Sequence, residues 1–167
     1  FGALVGSQLN RAIDAQGSHV DARGQVRDWW SPADRDAWTA LGNRVAAQYA
    51  SQDYPGVKGA RVDGALVRNV ALADQAGLEL AATAHAKAQP QASQAARQAL
   101  FEAWSRLWAQ QVAANTASER LKTDIHAPGP LRSNLPAANL PEFAAAFACK
   151  PGQPMTRAEA DQVKVWR

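Results

Sequence analysis

Apolar residues recur at helical spacing through most of this chain. Leu4, Val5, Leu9, Ala12 and Ile13 form such a stripe and predict a helix over residues 2–15. Residues 18–30 read as a loop, with Asp21-Ala22-Arg23-Gly24 as a turn before Asp28-Trp29-Trp30. A helix start is written at Ser31-Pro32-Ala33-Asp34: a serine cap, proline at the first helical position, and an acid three residues after the cap. That helix is expected to reach about residue 50, with Trp38, Leu41, Val45 and Tyr49 on one face. Residues 53–66 are irregular, with turns at Pro55-Gly56 and Asp63-Gly64. A strongly apolar helix follows over about 66–88, and Pro90 breaks the chain after it. A helix over about 93–113 carries Leu100, Phe101, Trp104, Leu107 and Trp108. A shorter helix is expected from about Ser118, a rigid loop at Ala127-Pro128-Gly129-Pro130, and a helix from Pro141 through Ala148. The tail runs from Lys150 to Trp166.

Composition sharpens this to a mainly α domain. The chain has 167 residues, enough for one domain with a real core, and is 47% hydrophobic and 20% charged. Its net charge of +3 comes from interleaved acids and bases, without the basic run or basic–aromatic alternation of a nucleic-acid surface. No apolar stretch reaches the length of a membrane span. The single cysteine, Cys149, cannot close an intrachain disulfide or build a cysteine-based zinc cluster, and is expected to be a half-buried thiol. His19, His85 and His126 include no pair spaced to share one helix face. Ser7 has no evident base beside it and makes no nucleophilic triad.

Three stretches carry a resemblance. The first is Gly2-Ala3-Leu4-Val5-Gly6-Ser7-Gln8-Leu9-Asn10-Arg11, continued by Ala12-Ile13-Asp14. The second is Val70-Ala71-Leu72-Ala73-Asp74-Gln75-Ala76-Gly77-Leu78. The third begins Thr123-Asp124-Ile125-His126-Ala127-Pro128, with Arg132 after it. It goes on through Asn139-Leu140-Pro141-Glu142-Phe143 and Phe147-Ala148-Cys149-Lys150-Pro151-Gly152 to Val163-Lys164-Val165-Trp166. Together they resemble the neprilysin and endothelin-converting-enzyme family of zinc metallopeptidases, over nearly the whole chain.

The resemblance implies the C-terminal, mostly helical lobe of a thermolysin-like catalytic domain. Residues 1–167 would be one piece, without the family's large N-terminal region and upper β-sheet. In the family, two histidines one helical turn apart bind zinc beside a glutamate base, and a later glutamate is the third ligand. The positions of those four groups hold Ser7, Gln8, Arg11 and Val70. The implied site is therefore degenerate, with no active catalytic residue and no bound zinc. Asp74, His126 and Arg132 match the family in type. The resemblance gives His126 to an oxyanion and Arg132 to a substrate carbonyl, which suits donors aimed at negative charge.

The expected function is a pseudopeptidase that binds peptide or protein, or serves as an assembly part. The alternative is a zinc metalloendopeptidase with a non-standard site. Partners are expected to be a peptide or protein, including the missing N-terminal part or another copy, with no nucleic acid. Extracytoplasmic location follows from the family alone. With Arg11 at a histidine position, an Arg11–Asp74 pair is expected to join two helices; the alternative turns Arg11 outward to solvent. Asp124, His126 and Arg132 have a second reading too, as residues that hold the 123–139 segment by hydrogen bonding. Trp29 and Trp30 are expected to bury their rings and fix the loop.

Overall fold

The computed structural model describes residues 1–166. Seven α-helices occur among the described residues: α1 (Gly2–Asn10), α2 (Pro32–Ala50), α3 (Gly64–Ala88), α4 (Gln94–Leu107), α5 (Ala114–Thr123), α6 (Gly129–Ala138) and α7 (Pro141–Ala146). No named β-strand occurs among them. Isolated antiparallel bridges join Val20 to Val26 and Asp53 to Arg61.

Helix α3 is the centre of the molecule and packs against α1, α2 and α6. Residues 70–78 are buried without interruption, so this part of the helix has no solvent face. It begins two residues earlier than its apolar run suggests, because the Asp63 carboxylate accepts from the amides of Ala65 and Leu66 as a cap. One apolar cluster joins Val45 and Tyr49 of α2, Leu72 of α3, Leu131 and Leu135 of α6, and Val163 of the tail. A second joins Ala3, Leu78, Phe101, Trp104, Leu140 and Ala146.

The expected start of α2 holds in full. Ser31 Oγ accepts from the Asp34 amide, and the Asp34 carboxylate accepts from the Ser31 amide. Four expectations about the elements are corrected. Helix α1 stops at Asn10 rather than running to residue 15, and its apolar stripe faces outward: Leu4, Val5 and Leu9 are exposed while Ala3, Gly6, Ser7 and Asn10 are buried. The reason is size. A Cβ on Gly6 would lie 3.0 Å from Gly77 Cα, and one on Gly77 would lie 2.2 Å from the Ala3 carbonyl oxygen. Helices this close admit only small residues between them.

Helix α4 ends at Leu107, not near 113, and α5 opens at Ala114. The 127–130 stretch is not only a loop, since Gly129 and Pro130 already belong to the first turn of α6. Proline fits there because its missing N–H has no partner to lose. Helix α7 ends at Ala146, and Ala148 just beyond it sits at φ 52°. The Trp29–Trp30 expectation holds in part. Trp30 packs on Trp38 at 5.5 Å between ring centroids, but Trp29 stays 39% exposed, held by its Nε1 donating to the Gly17 carbonyl.

The 157–166 segment is tied down by polar side chains. Arg44 donates to the carbonyls of Ala160 and Gln162, and Gln48 to that of Asp161. Asn139 accepts from the Val163 amide while its own amide group donates to Gln75 and Gln48. Glu79 accepts from the amides of Val165 and Trp166, and Trp166 Nε1 donates to the Ala76 carbonyl. Cys149 is a free, half-buried thiol.

Candidate functional site

Helix α3 places Val70 and Asp74 one turn apart, and α1 crosses beside them in the opposite direction. Gly2 faces Ala81 and Gly6 faces Gly77, and the same four-residue steps bring Asn10 opposite Ala73. Ser7 is buried, and its Oγ donates to the Leu4 carbonyl of its own helix at 2.8 Å. Gln8 and Arg11 are exposed. Val70 is 4% exposed and offers no donor atom.

The Arg11–Asp74 pair does not form. The buried Asp74 carboxylate instead takes both fork nitrogens of Arg132: Nε at 2.7 Å from Oδ2 and Nη2 at 2.9 Å from Oδ1. Arg132 comes from the first turns of α6, at the depth of Asp74, whereas Arg11 lies just past the end of α1 and turns outward. The outward alternative is the one observed. The guanidinium carbon also lies over the Trp108 ring, 3.6 Å from its centroid. Burial pushes the Asp74 carboxyl up from its ordinary range, against the pull of Arg132 and the weaker pulls of His126 and Arg11.

His126 sits on the loop before α6. One oxygen of Asp124 accepts from both the His126 amide and its ring Nδ1, each at 2.9 Å. Nδ1 so held leaves Nε2 as the free polar atom of the ring. Burial alone would raise the Asp124 carboxyl, but the two His126 bonds together with the charges of His126 and Arg120 outweigh it and hold it below its ordinary value. His126 and Arg132 both line a cavity of about 510 Å³, with Tyr54, Leu107, Trp108 and Val112 among its other walls.

The structure thus brings together Asp74, Arg132 and His126, three of the residues singled out from the sequence. It does not add Ser7, Gln8 or Arg11 to their cavity lining. Arg132 has two of its three nitrogens committed to Asp74, which leaves Nη1 for any ligand. Trp108 was read from the sequence as a core residue, yet it provides the face on which Arg132 rests. No local pattern signals that contact, because the two residues lie on different elements far apart in the chain.

Comparison with known proteins agrees with this geometry. The profile of Peptidase family M13 matches residues 1–163. The chain belongs to peptidase family M13. Among curated M13 relatives, the neutral endopeptidase of Lactococcus lactis subsp. lactis is 28% identical over 166 residues, covering 99% of this chain and 25% of that protein. Mouse endothelin-converting enzyme 1 is also 28% identical, covering 93% of this chain and 21% of that protein. Among solved structures, PepO from Lactobacillus rhamnosis HN001 superposes with a TM-score of 0.88 at 33% identity, over 99% of this chain and 25% of that one. The zinc metalloprotease Zmp1 of Mycobacterium tuberculosis gives 0.89 at 25% identity, over 99% and 27%. The chain spans about a quarter of the length of these relatives. Its fold is the helical lobe of M13 peptidases.

The side chains at the four positions do not suit the zinc of these metallopeptidases. A valine has no lone pair to give, a guanidinium repels a cation, and the serine hydroxyl is turned to its own backbone. Among the described residues, no group of three or more His, Cys, Asp and Glu side chains converges.

Proposed function

We propose that this chain is a non-catalytic M13 domain that binds peptide or protein through the cavity at His126 and Arg132. What carries this reading is the contrast at one site. The positions of the three metal ligands and the base hold Ser7, Gln8, Arg11 and Val70, while His126 and Arg132 still turn polar atoms toward a cavity. Without a metal-activated water these donors have no charge development to stabilise. They remain suited to holding a peptide carbonyl. Bound zinc is not part of this proposal. An extracytoplasmic location is, by kinship with the rest of the family. The exposed Leu4, Val5 and Leu9 suit an assembly contact, with the remainder of an M13 fold or with another copy as partner.

A second reading is a zinc metalloendopeptidase with a non-standard site, favoured by relatives that are themselves named endopeptidases and zinc metalloproteases. Zinc content after dialysis against trace zinc separates the two. Less than about a tenth of an equivalent is expected, and close to one equivalent would overturn the proposal. Binding of a labelled peptide library is expected to fall in His126→Ala, a substitution at an exposed loop residue that leaves the Asp74–Arg132 pair in place. Equal binding by this variant would exclude the cavity and leave the assembly role.

A further inference from the structure

A second concave site is formed by the segment that follows α1. Past Asn10 the chain loops back on itself and encloses a groove of about 910 Å³. Its apolar lining includes Ile13, Val20 and Trp29, and its polar lining includes Arg11, Arg23 and Arg27. All three arginines are exposed, and among the described residues none of them is within salt-bridge distance of a carboxylate. The one acid in the lining, Asp21, is occupied by its own turn, accepting from the amides of Arg23 at 2.9 Å and Gln25 at 3.1 Å. Asp28, next to Arg27, pairs with His19 and faces Arg35 at 4.0 Å, both outside the groove lining. The groove therefore has more positive charge than negative, around an indole ring whose position is fixed by its bond to Gly17.

This excess is local. The chain as a whole carries 18 basic and 15 acidic residues, interleaved, and offers no continuous basic track for a nucleic-acid backbone. Three separated guanidinium groups over an apolar floor match a short chain that bears carboxylates and one large apolar side chain.

We infer that the groove bounded by Arg11, Arg23, Arg27 and Trp29 binds an acidic, extended peptide segment. Carboxylates lie on the arginines, and an aromatic or aliphatic side chain lies against Trp29 and Val20. The inference takes the peptide nature of the ligand from the proposed function but places the charge selection at different residues. A fitting test uses a fluorescein-labelled hexapeptide of glutamates around one phenylalanine, and its twin with glutamine for each glutamate, read by anisotropy at low and at physiological salt. The acidic peptide is expected to bind at least tenfold tighter at low salt. The Arg23→Gln/Arg27→Gln double variant, altered only in an exposed loop, is expected to lose that preference. Equal binding of the two peptides, or an unchanged preference in the double variant, overturns the groove while peptide binding at the cavity stands. Binding of neither peptide overturns both readings. A labelled single-stranded oligonucleotide that binds tighter than the acidic peptide also overturns the inference. In His126→Ala the acidic preference is expected to persist, and its loss there would return charge selection to the cavity.

Discussion

The two sides of the candidate site differ in how their polar groups are bonded. On the α6 side the buried and half-buried charged groups near the cavity have partners: Asp74 with Arg132, Arg132 with the Trp108 ring, Asp124 with His126. On the α1 side Asn10 is fully buried and neither polar atom of its side chain has a protein partner. Ser7 bonds only its own helix, and Arg11 turns away. A buried network that is complete resists change, because removing one member strands another in a place water cannot reach. A helix held by the fit of small residues has no such constraint on its polar positions. That difference gives the α6 side a fixed polar network and leaves Ser7 and Gln8 of α1, and Arg11 just past its end, outside any such network.

Substitutions on each side test this contrast. Arg132→Ala leaves Asp74 buried and unpaired, and is expected to cost about 3–5 kcal/mol in chemical denaturation. A loss under about 1 kcal/mol would show that the α6 network is not holding the fold. Glu79→Gln replaces one of the two oxygens that receive the Val165 and Trp166 amides. Losing a hydrogen bond to a charged group should cost about 1.5–3 kcal/mol and shift Trp166 fluorescence to the red. Unchanged emission would mean the tail is held by its apolar contacts. Asn10→Ala removes two unpartnered polar atoms and is expected to change stability by less than about 1 kcal/mol. A loss above about 2 kcal/mol would bring α1 level with α6 and end the contrast.

The smallest effect is on acidification. Asp124 has a depressed pKa in the folded chain, so its bonds to His126 contribute fully above the ordinary aspartate range of about 3.9. That contribution is lost as pH falls through the lower folded value. The protection factor of the His126 amide against hydrogen exchange should fall below pH about 4 and stay level from 5 to 8. A change already present near pH 6 would point to the histidine instead.

Much of the fold was legible in the sequence because it is written locally. Ser31-Pro32-Ala33-Asp34 specifies the start of α2 by hydrogen bonds within four residues, and α3 is apolar enough to announce a buried helix. Helix α1 was read too long, and hydrophobic periodicity, which weighs Leu4, Val5 and Leu9, does not record the close approach of Gly6 and Gly77 that decides which face is buried. Pro128-Gly129-Pro130 was read as a rigid loop, whereas with α6 packed on α3 it supplies the cap and first turn of a helix. At the candidate site the residues were legible and their pairing was not. Arg11 and Arg132 are chemically equal partners for Asp74. The choice between them depends on where α6 crosses α3, a long-range fact that no spacing within either helix records.

The tie that Arg44, Gln48, Asn139 and Glu79 form on residues 160–166 has a consequence for biosynthesis. A ribosome finishes α2, α3 and α6 well before it delivers Val163. Until then four polar side chains wait without their backbone partners, and the place of a fully buried valine stands open among Val45, Leu72 and Leu135. The nascent helices can gather, but this part of the core closes only when residues 160–166 arrive. A stalled or clipped chain lacking that stretch would carry an open core to chaperones and proteases, a quality check made by the order of synthesis.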